Sequence, residues 1–200
     1  MDKVKEINKK FFNLWAITYD WSLLKPWLYS LQKKATSNIN LRNNLNILDV
    51  GCGTGDSLIL LSKFKFKLNL YGLDLSEKMI KRARKKLNGK AILKIGDVEN
   101  LPFKANSFDY VLNTEAFHHF PNPDKAVKEI YRILKKEGKL ILADITFESL
   151  FIKRIFKLLE PGHVKIYTKK EFNDLFVKNK FKVLKQKKVG LFVILNIVKK

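Results

Sequence analysis

The sequence predicts an α/β fold: a doubly wound, mostly parallel sheet with a helical lid at the N-terminus and an antiparallel hairpin strand at the C-terminus. Three observations carry this reading. Short apolar runs alternate with amphipathic stretches from about residue 46 to 147. The first run enters a glycine turn, "ILDVGCGTGD" at 47–56. The last two runs, "FKVLKQKK" and "LFVILNIV", flank Val189 and Gly190 as the two arms of a hairpin do.

Residues 3–17 and about 21–38 carry apolar and aromatic positions at helical spacing, with Pro26 at a first turn or a kink. "NILDV" is a buried strand, and a helix follows the glycine turn over about 55–64. "KLNLYGLD" is the second strand, and "SEKMIKRARKKL" the second helix of the alternating unit, with Ser76 as N-cap. "AILKIGD" and "SFDYVLNTE" are the third and fourth strands. "NPDKAVKEIYRILKKEG" is a helix opened by Asn122 and Pro123 and closed by Gly138, and "KLILADITF" is the fifth strand. Two more helices are expected at about 148–159 and 168–179, before the terminal hairpin. Strands and helices alternating at this length imply a parallel sheet covered on both faces by right-handed crossovers.

The chain of 200 residues suits one compact unit, a lid over 1–40 on a body over 41–200. Its 46% hydrophobic and 12% aromatic content is that of a globular core. The apolar runs fall short of the ~18 residues of a membrane span, and "MDKVKEINKK" lacks a signal peptide's apolar core, so a cytoplasmic protein is expected. Cys52 is the single cysteine, which excludes an internal disulfide and a C-x-x-C zinc pair; no metal is expected.

The net charge is +21, distributed as +4 over 1–40, +7 over 41–146 and +10 over 147–200. Such a balance attracts RNA or an anionic surface. It also arises from compositional bias, since 35 of the 40 basic residues are lysine.

The glycine turn selects among nucleotide-like ligands. In an open α/β sheet the ligand lies beyond the carboxyl ends of the strands, and Gly51, Gly53 and Gly55 let the backbone approach it. A dinucleotide fingerprint wants glycine or alanine where Asp56 stands, and a carboxylate there repels a pyrophosphate. No Lys-Ser or Lys-Thr follows, which excludes a triphosphate loop. Three successive strands end in Asp49, Asp74 and Asp97; Asp74 is placed to grip two ribose hydroxyls, and Asp97 to accept from a purine's exocyclic amine.

At this point the sequence resembles the class I S-adenosylmethionine-dependent methyltransferases, specifically the type 11 group that includes quinone-biosynthesis C-methyltransferases. The blocks "ILDVGCGTGD", "YGLDLSEKMI", "GDVENLPFKANSFDYVLNTEAFHHF" and "EIYRILKKEGKLILAD" carry the resemblance, in order and at matching spacing. It implies a Rossmann-like fold with S-adenosyl-L-methionine as cofactor. Asp49 and the backbone of Gly51, Gly53 and Gly55 would surround its methionyl part. Asp74 would hold the ribose, Leu75 and Val98 the two faces of the adenine, and Asp97 its amino group. Asn113 would face the methionyl side, and Tyr19 would close over the cofactor from the lid.

Methyl transfer from a sulfonium is an in-line displacement that gains chiefly from alignment in a dry pocket; a base matters only when the acceptor must lose a proton. His118 and His119 in "AFHHF" are the candidates for that base. His163 and Tyr167 in "PGHVKIYTKKEF" are candidate substrate contacts, with Glu115 a further one. The stretch "FIKRIFKLL" mixes apolar and basic positions and reads as a helix packed on the domain, or one resting on lipid.

A small-molecule acceptor, lipid-like or ring-containing, is the leading expectation. An RNA or tRNA methyltransferase using the basic surface is the alternative, although "NTEA" replaces the Asn/Asp-Pro-Pro-aromatic motif that clamps a base amine. A catalytically silent cofactor-binding subunit is a third class.

Overall fold

The computed structural model describes residues 3–16, 18–19, 23, 25–147 and 164–200. In chain order the elements are α1 (Lys3–Trp15), α2 (Lys25–Thr36), β1 (Asn46–Val50), α3 (Asp56–Ser62), β2 (Asn69–Asp74), α4 (Glu77–Leu87) and β3 (Ile92–Ile95). They continue with β4 (Phe108–Thr114), α5 (Pro123–Ile133), β5 (Leu134–Ile145), α6 (Lys169–Lys178), β6 (Lys182–Val189) and β7 (Val193–Lys199). The expected helix at 148–159 lies outside the described residues.

Among the described residues the strands form one sheet in the order β3-β2-β1-β4-β5-β7-β6. The pairs β1–β2, β1–β4, β2–β3 and β4–β5 are parallel, and β5–β7 and β6–β7 antiparallel. The expected hairpin is present, with β7 slotted beside β5 and β6 left on the edge. Strand alternation divides the core in two. Leu48, Val50, Val111, Leu140 and Leu142 face a layer built by α5 and α6 through Val127, Ile130, Phe172 and Phe176. Ile47, Leu112, Ile141 and Ala143 face α2, α3 and α4 through Leu31, Ala35, Leu58, Leu61, Ile80 and Ala83. Each fully buried Leu or Ile among these is worth roughly 1.5–3 kcal/mol relative to exposure.

Helix starts follow local chemistry. The Ser76 hydroxyl accepts from the Met79 N–H, and the Asn122 side chain from the Lys125 N–H. Thr168 and Glu171 form a reciprocal capping box. Pro26 sits in the first turn of α2, where its missing N–H costs nothing.

One boundary differs from expectation. "ILKKEG" does not continue α5 to Gly138; the helix stops at Ile133 and the chain turns extended at Leu134. Leu134 is fully buried and registers with Phe108 at the foot of β4, while Lys135 reaches Asp109 at 2.7 Å. Burial of the leucine and a β-bulge between Phe108 and Tyr110 override the helical preference of the lysines.

Candidate active site

A cavity of about 460 Å3 lies at the carboxyl ends of β1 to β5, above the β1–β4 boundary where strand order reverses. Gly51, Gly53, Asp74, Leu75, Asp97 and Val98 wall one end. His118, His119, Ile145, Phe147, Trp27 and Phe192 wall the other.

The glycines of the turn have different duties. Gly53 has φ +51°, and a Cβ built there meets no atom within 4 Å, so its bare backbone faces open space on the cavity wall. Gly55 has φ +84° and lies off the wall; a Cβ there would stand 2.9 Å from Leu87 and 3.3 Å from Ala83. Its missing side chain permits the close packing of α3 on α4.

The strand-end carboxylates are held by backbone amides. Asp74 accepts from the Gly53 N–H through Oδ2 and the Ser76 N–H through Oδ1, each at 2.8 Å. Burial raises its pKa against the pull of these donors. Fixed on one lone pair of each oxygen, it presents its remaining pairs to two adjacent hydroxyls. Asp49 is buried behind the turn, and its Oδ1 has no hydrogen-bond partner among the described residues. Burial, then the nearby charge of Asp74, push its pKa up to about 8, so a cation at this end of the cavity would favour its ionised form. Asp97 accepts the Glu99 N–H at 2.9 Å and caps a single 3-10 turn over Val98–Asn100.

The lid is docked by polar contacts. Lys5 of α1 reaches Asp97 at 2.8 Å and Glu99 at 2.6 Å, so the carboxylate expected to meet an adenine amine already holds an ammonium. Asn8, the buried residue of α1, donates to the His119 carbonyl at 2.9 Å. Asn13 accepts from the Ser76 hydroxyl at 2.7 Å, and Phe12 lies edge-on to the His119 ring at 4.8 Å. Tyr19 lines the cavity.

Asp56 departs from its expected electrostatics. It is ion-paired with Lys25 of α2, and with Lys86 of α4 at 3.2 Å. Its charge is therefore balanced, and its discrimination against a pyrophosphate is weaker than the sequence suggested.

At the other end, a 3-10 turn over Phe117–His119 places both histidines on the wall. His118 Nδ1 stands 2.6 Å from Asp144 Oδ1, and the His118 N–H donates to Asp144 Oδ2 at 2.9 Å. The Ile145 N–H also donates to Asp144 Oδ1, at 2.7 Å. A carboxylate so held accepts a hydrogen bond from Nδ1–H and fixes the tautomer in which Nε2 is the basic nitrogen. Trp27, Ile145, Phe147 and Phe192 make the surrounding wall apolar and largely aromatic.

Two more expected contacts sit elsewhere. Asn113 is fully buried behind the wall and donates to the Val50 carbonyl at 2.7 Å, tying β4 to the start of the glycine turn. Tyr167 is not on the wall; its ring packs in the core against Phe117 and Phe172, and burial drives its pKa up. Glu115 lines the cavity. His163 lies outside the described residues.

Lys5, Asn8 and Asp144 were not singled out from sequence. Asp144 had a signal, because "LILAD" ends the fifth strand in the same short carboxylate as the first three.

Residues 48–142 match the family model described as "Methyltransferase domain". A demethylmenaquinone methyltransferase of Lactiplantibacillus plantarum is 35% identical over 116 residues, covering 55% of this chain and 49% of the relative. The chain spans about half the length of the first curated relatives it matches. A SAM-dependent methyltransferase structure from Thermotoga maritima superposes with a TM-score of 0.74 at 27% identity, over 94% of this chain and 98% of that one. A chain from the complex of the Haloferax volcanii Trm112 methyltransferase activator with its methyltransferase gives a TM-score of 0.85 at 20% identity, over 94% and 96%, and so shares the fold.

Proposed function

We propose that this chain, whose residues 48–142 match a methyltransferase domain, uses S-adenosylmethionine to methylate a small, apolar, ring-containing acceptor that must lose a proton. The supporting observation is the union, in one cavity, of an amide-held Asp74 beside a bare glycine turn with a His118–Asp144 pair in an aromatic compartment.

The residues fit the cofactor. Asp74 offers two acceptors for a ribose, Gly53 leaves space where a side chain would intrude, and Asp49 is a buried carboxyl whose Oδ1 lacks a described partner. Leu75 and Val98 flank the end where a flat ring would lie. When bound, S-adenosylmethionine supplies an electrophilic methyl carbon on a sulfonium.

The chain's own work is alignment, exclusion of water and proton transfer. Trp27, Phe147 and Phe192 would hold an apolar ring against the wall. His118 Nε2 is buried in the free protein; uncovered as the acceptor binds, it would take the acceptor's proton, and Asp144 would stabilise the resulting imidazolium. His119, whose ring lies 4.1 Å from that of His118, packs beneath Phe12 of the lid and supports the pair. The curated relative's name points to a quinol-type ring as the first acceptor to try.

The test incubates the protein with methyl-labelled cofactor and, separately, with short-tailed hydroquinones or cellular RNA. Label in the hydroquinone is the expected result, and label confined to RNA overturns the acceptor class. His118→Ala should lower kcat roughly 100-fold with cofactor affinity unchanged within about two-fold. Asp144→Asn should shift the pH profile of kcat as well, which a purely structural role would not do. Unchanged kcat in both variants removes the proposed base.

A further inference from the structure

The hairpin between β6 and β7 ends in an arrangement that the methyl-transfer reading does not use. Gly190 turns with φ +64°, and the next residue, Leu191, is 81% exposed. Its neighbour Phe192 is 48% exposed and at the same time walls the cavity, where its ring meets Phe147 at 5.4 Å. Trp27 of α2 is likewise both on the wall and 44% exposed. The cavity thus reaches solvent past two aromatic rings, with an unburied leucine beside one of them.

The strand leading into this tip carries charge of one sign: β6 holds Lys182, Lys185, Lys187 and Lys188, the last two directly before Val189, and no carboxylate. Lys185 and Lys187 on β6 are exposed and lead toward the turn. Lysines on an edge strand are accounted for by protection against pairing with another chain. A leucine at the tip is not, because exposing it costs free energy and repels no strand.

An apolar tip flanked by cations matches an anionic bilayer, which offers acyl chains to the leucine and phosphates to the lysines. RNA answers only half of this, since an aliphatic tip gains nothing from a phosphate backbone and stacks on no base. We propose that the turn Gly190–Leu191–Phe192 docks on an anionic lipid bilayer, and that the acceptor enters the cavity from that bilayer between Trp27 and Phe192. The docking stands apart from the methyl-transfer reading; the acceptor's route rests on it.

Co-sedimentation of the full chain with vesicles tests the docking without cofactor or acceptor. Vesicles of phosphatidylcholine mixed with phosphatidylglycerol should bind the protein, and vesicles of phosphatidylcholine alone should bind it at least ten-fold less. Leu191→Glu should cut binding at least ten-fold, and the double change Lys187→Glu with Lys188→Glu still more, each lost lysine counting for roughly five-fold. Val177→Glu alters another exposed apolar residue, 59% exposed on α6, and should leave binding unchanged. Leu191→Trp should give fluorescence that shifts to the blue on anionic vesicles and is quenched by brominated acyl chains. No binding to anionic vesicles, or binding that depends on the lysines but ignores Leu191, overturns the proposal. Binding to RNA in preference to anionic vesicles overturns it as well. The two readings fail separately: absent vesicle binding removes the docking, whereas failure to methylate a short-tailed, water-soluble acceptor removes the activity. Leu191→Glu should keep activity on that soluble acceptor and lose it on a long-tailed one presented in vesicles.

Discussion

The two ends of the cavity are built from different materials. The glycine-turn end consists of backbone amides and short carboxylates, each held within three residues of a strand terminus; Asp74 is clamped by Gly53 and Ser76. The histidine end consists of large side chains from distant segments, Trp27 from α2, Phe147 after β5 and Phe192 from the hairpin. The first is a rigid socket for polar groups, because backbone donors cannot rotate away. The second is a shape, which substitution at three positions remodels without disturbing the sheet. One fold therefore keeps its cofactor chemistry fixed while its acceptor varies.

That contrast is breakable in three ways. Asp74→Asn has the largest expected effect: it removes the charge and turns one of the two acceptor oxygens into a donor, weakening cofactor binding roughly 100-fold by calorimetry. If affinity survives, the socket is not where the ribose binds.

Asp49 gives the next effect, through pH. Its folded-state pKa lies near 8, above the ordinary 3.8, so the free protein holds a proton there at pH 7. A bound cation favours the carboxylate and expels that proton, so affinity rises with pH and levels off above about 8. Binding at pH 7 should be about ten-fold weaker than on the plateau, and Asp49→Asn should flatten this part of the profile.

The smallest effect tests the lid. Lys5→Met removes the ion pairs to Asp97 and Glu99 while keeping an apolar stem. Loss of about 1 kcal/mol of docking should speed cofactor release by roughly five-fold in a stopped-flow measurement. An unchanged release rate would place the lid outside the exchange path.

The same contrast explains what could be read in advance. Carboxylates at strand ends follow short apolar runs, so Asp49, Asp74 and Asp97 stand out in the linear chain, and strand order then brings them to one crevice. Asp144 obeys the same rule and was passed over because the pattern was stopped at the third strand. The partners of Lys5 lie 92 and 94 positions away, and no local periodicity announces such a contact. Gly55 and Asn113 carry the residue types of a ligand site, yet they serve packing and turn geometry; residue type does not reveal which way a group points. The end of α5 was missed for a related reason: "LKKEG" favours helix locally, and only the buried register of Leu134 against Phe108 decides otherwise.

The lid helix has one further bearing on turnover. Its deepest residue is Asn8, and its ties to the body run through Lys5 and Asn13, all groups that water satisfies as well as protein does. Neither core layer draws a residue from α1, so lifting it would expose its aromatic side and leave both layers covered. Turnover limited by the release of α1 would slow in a more viscous medium.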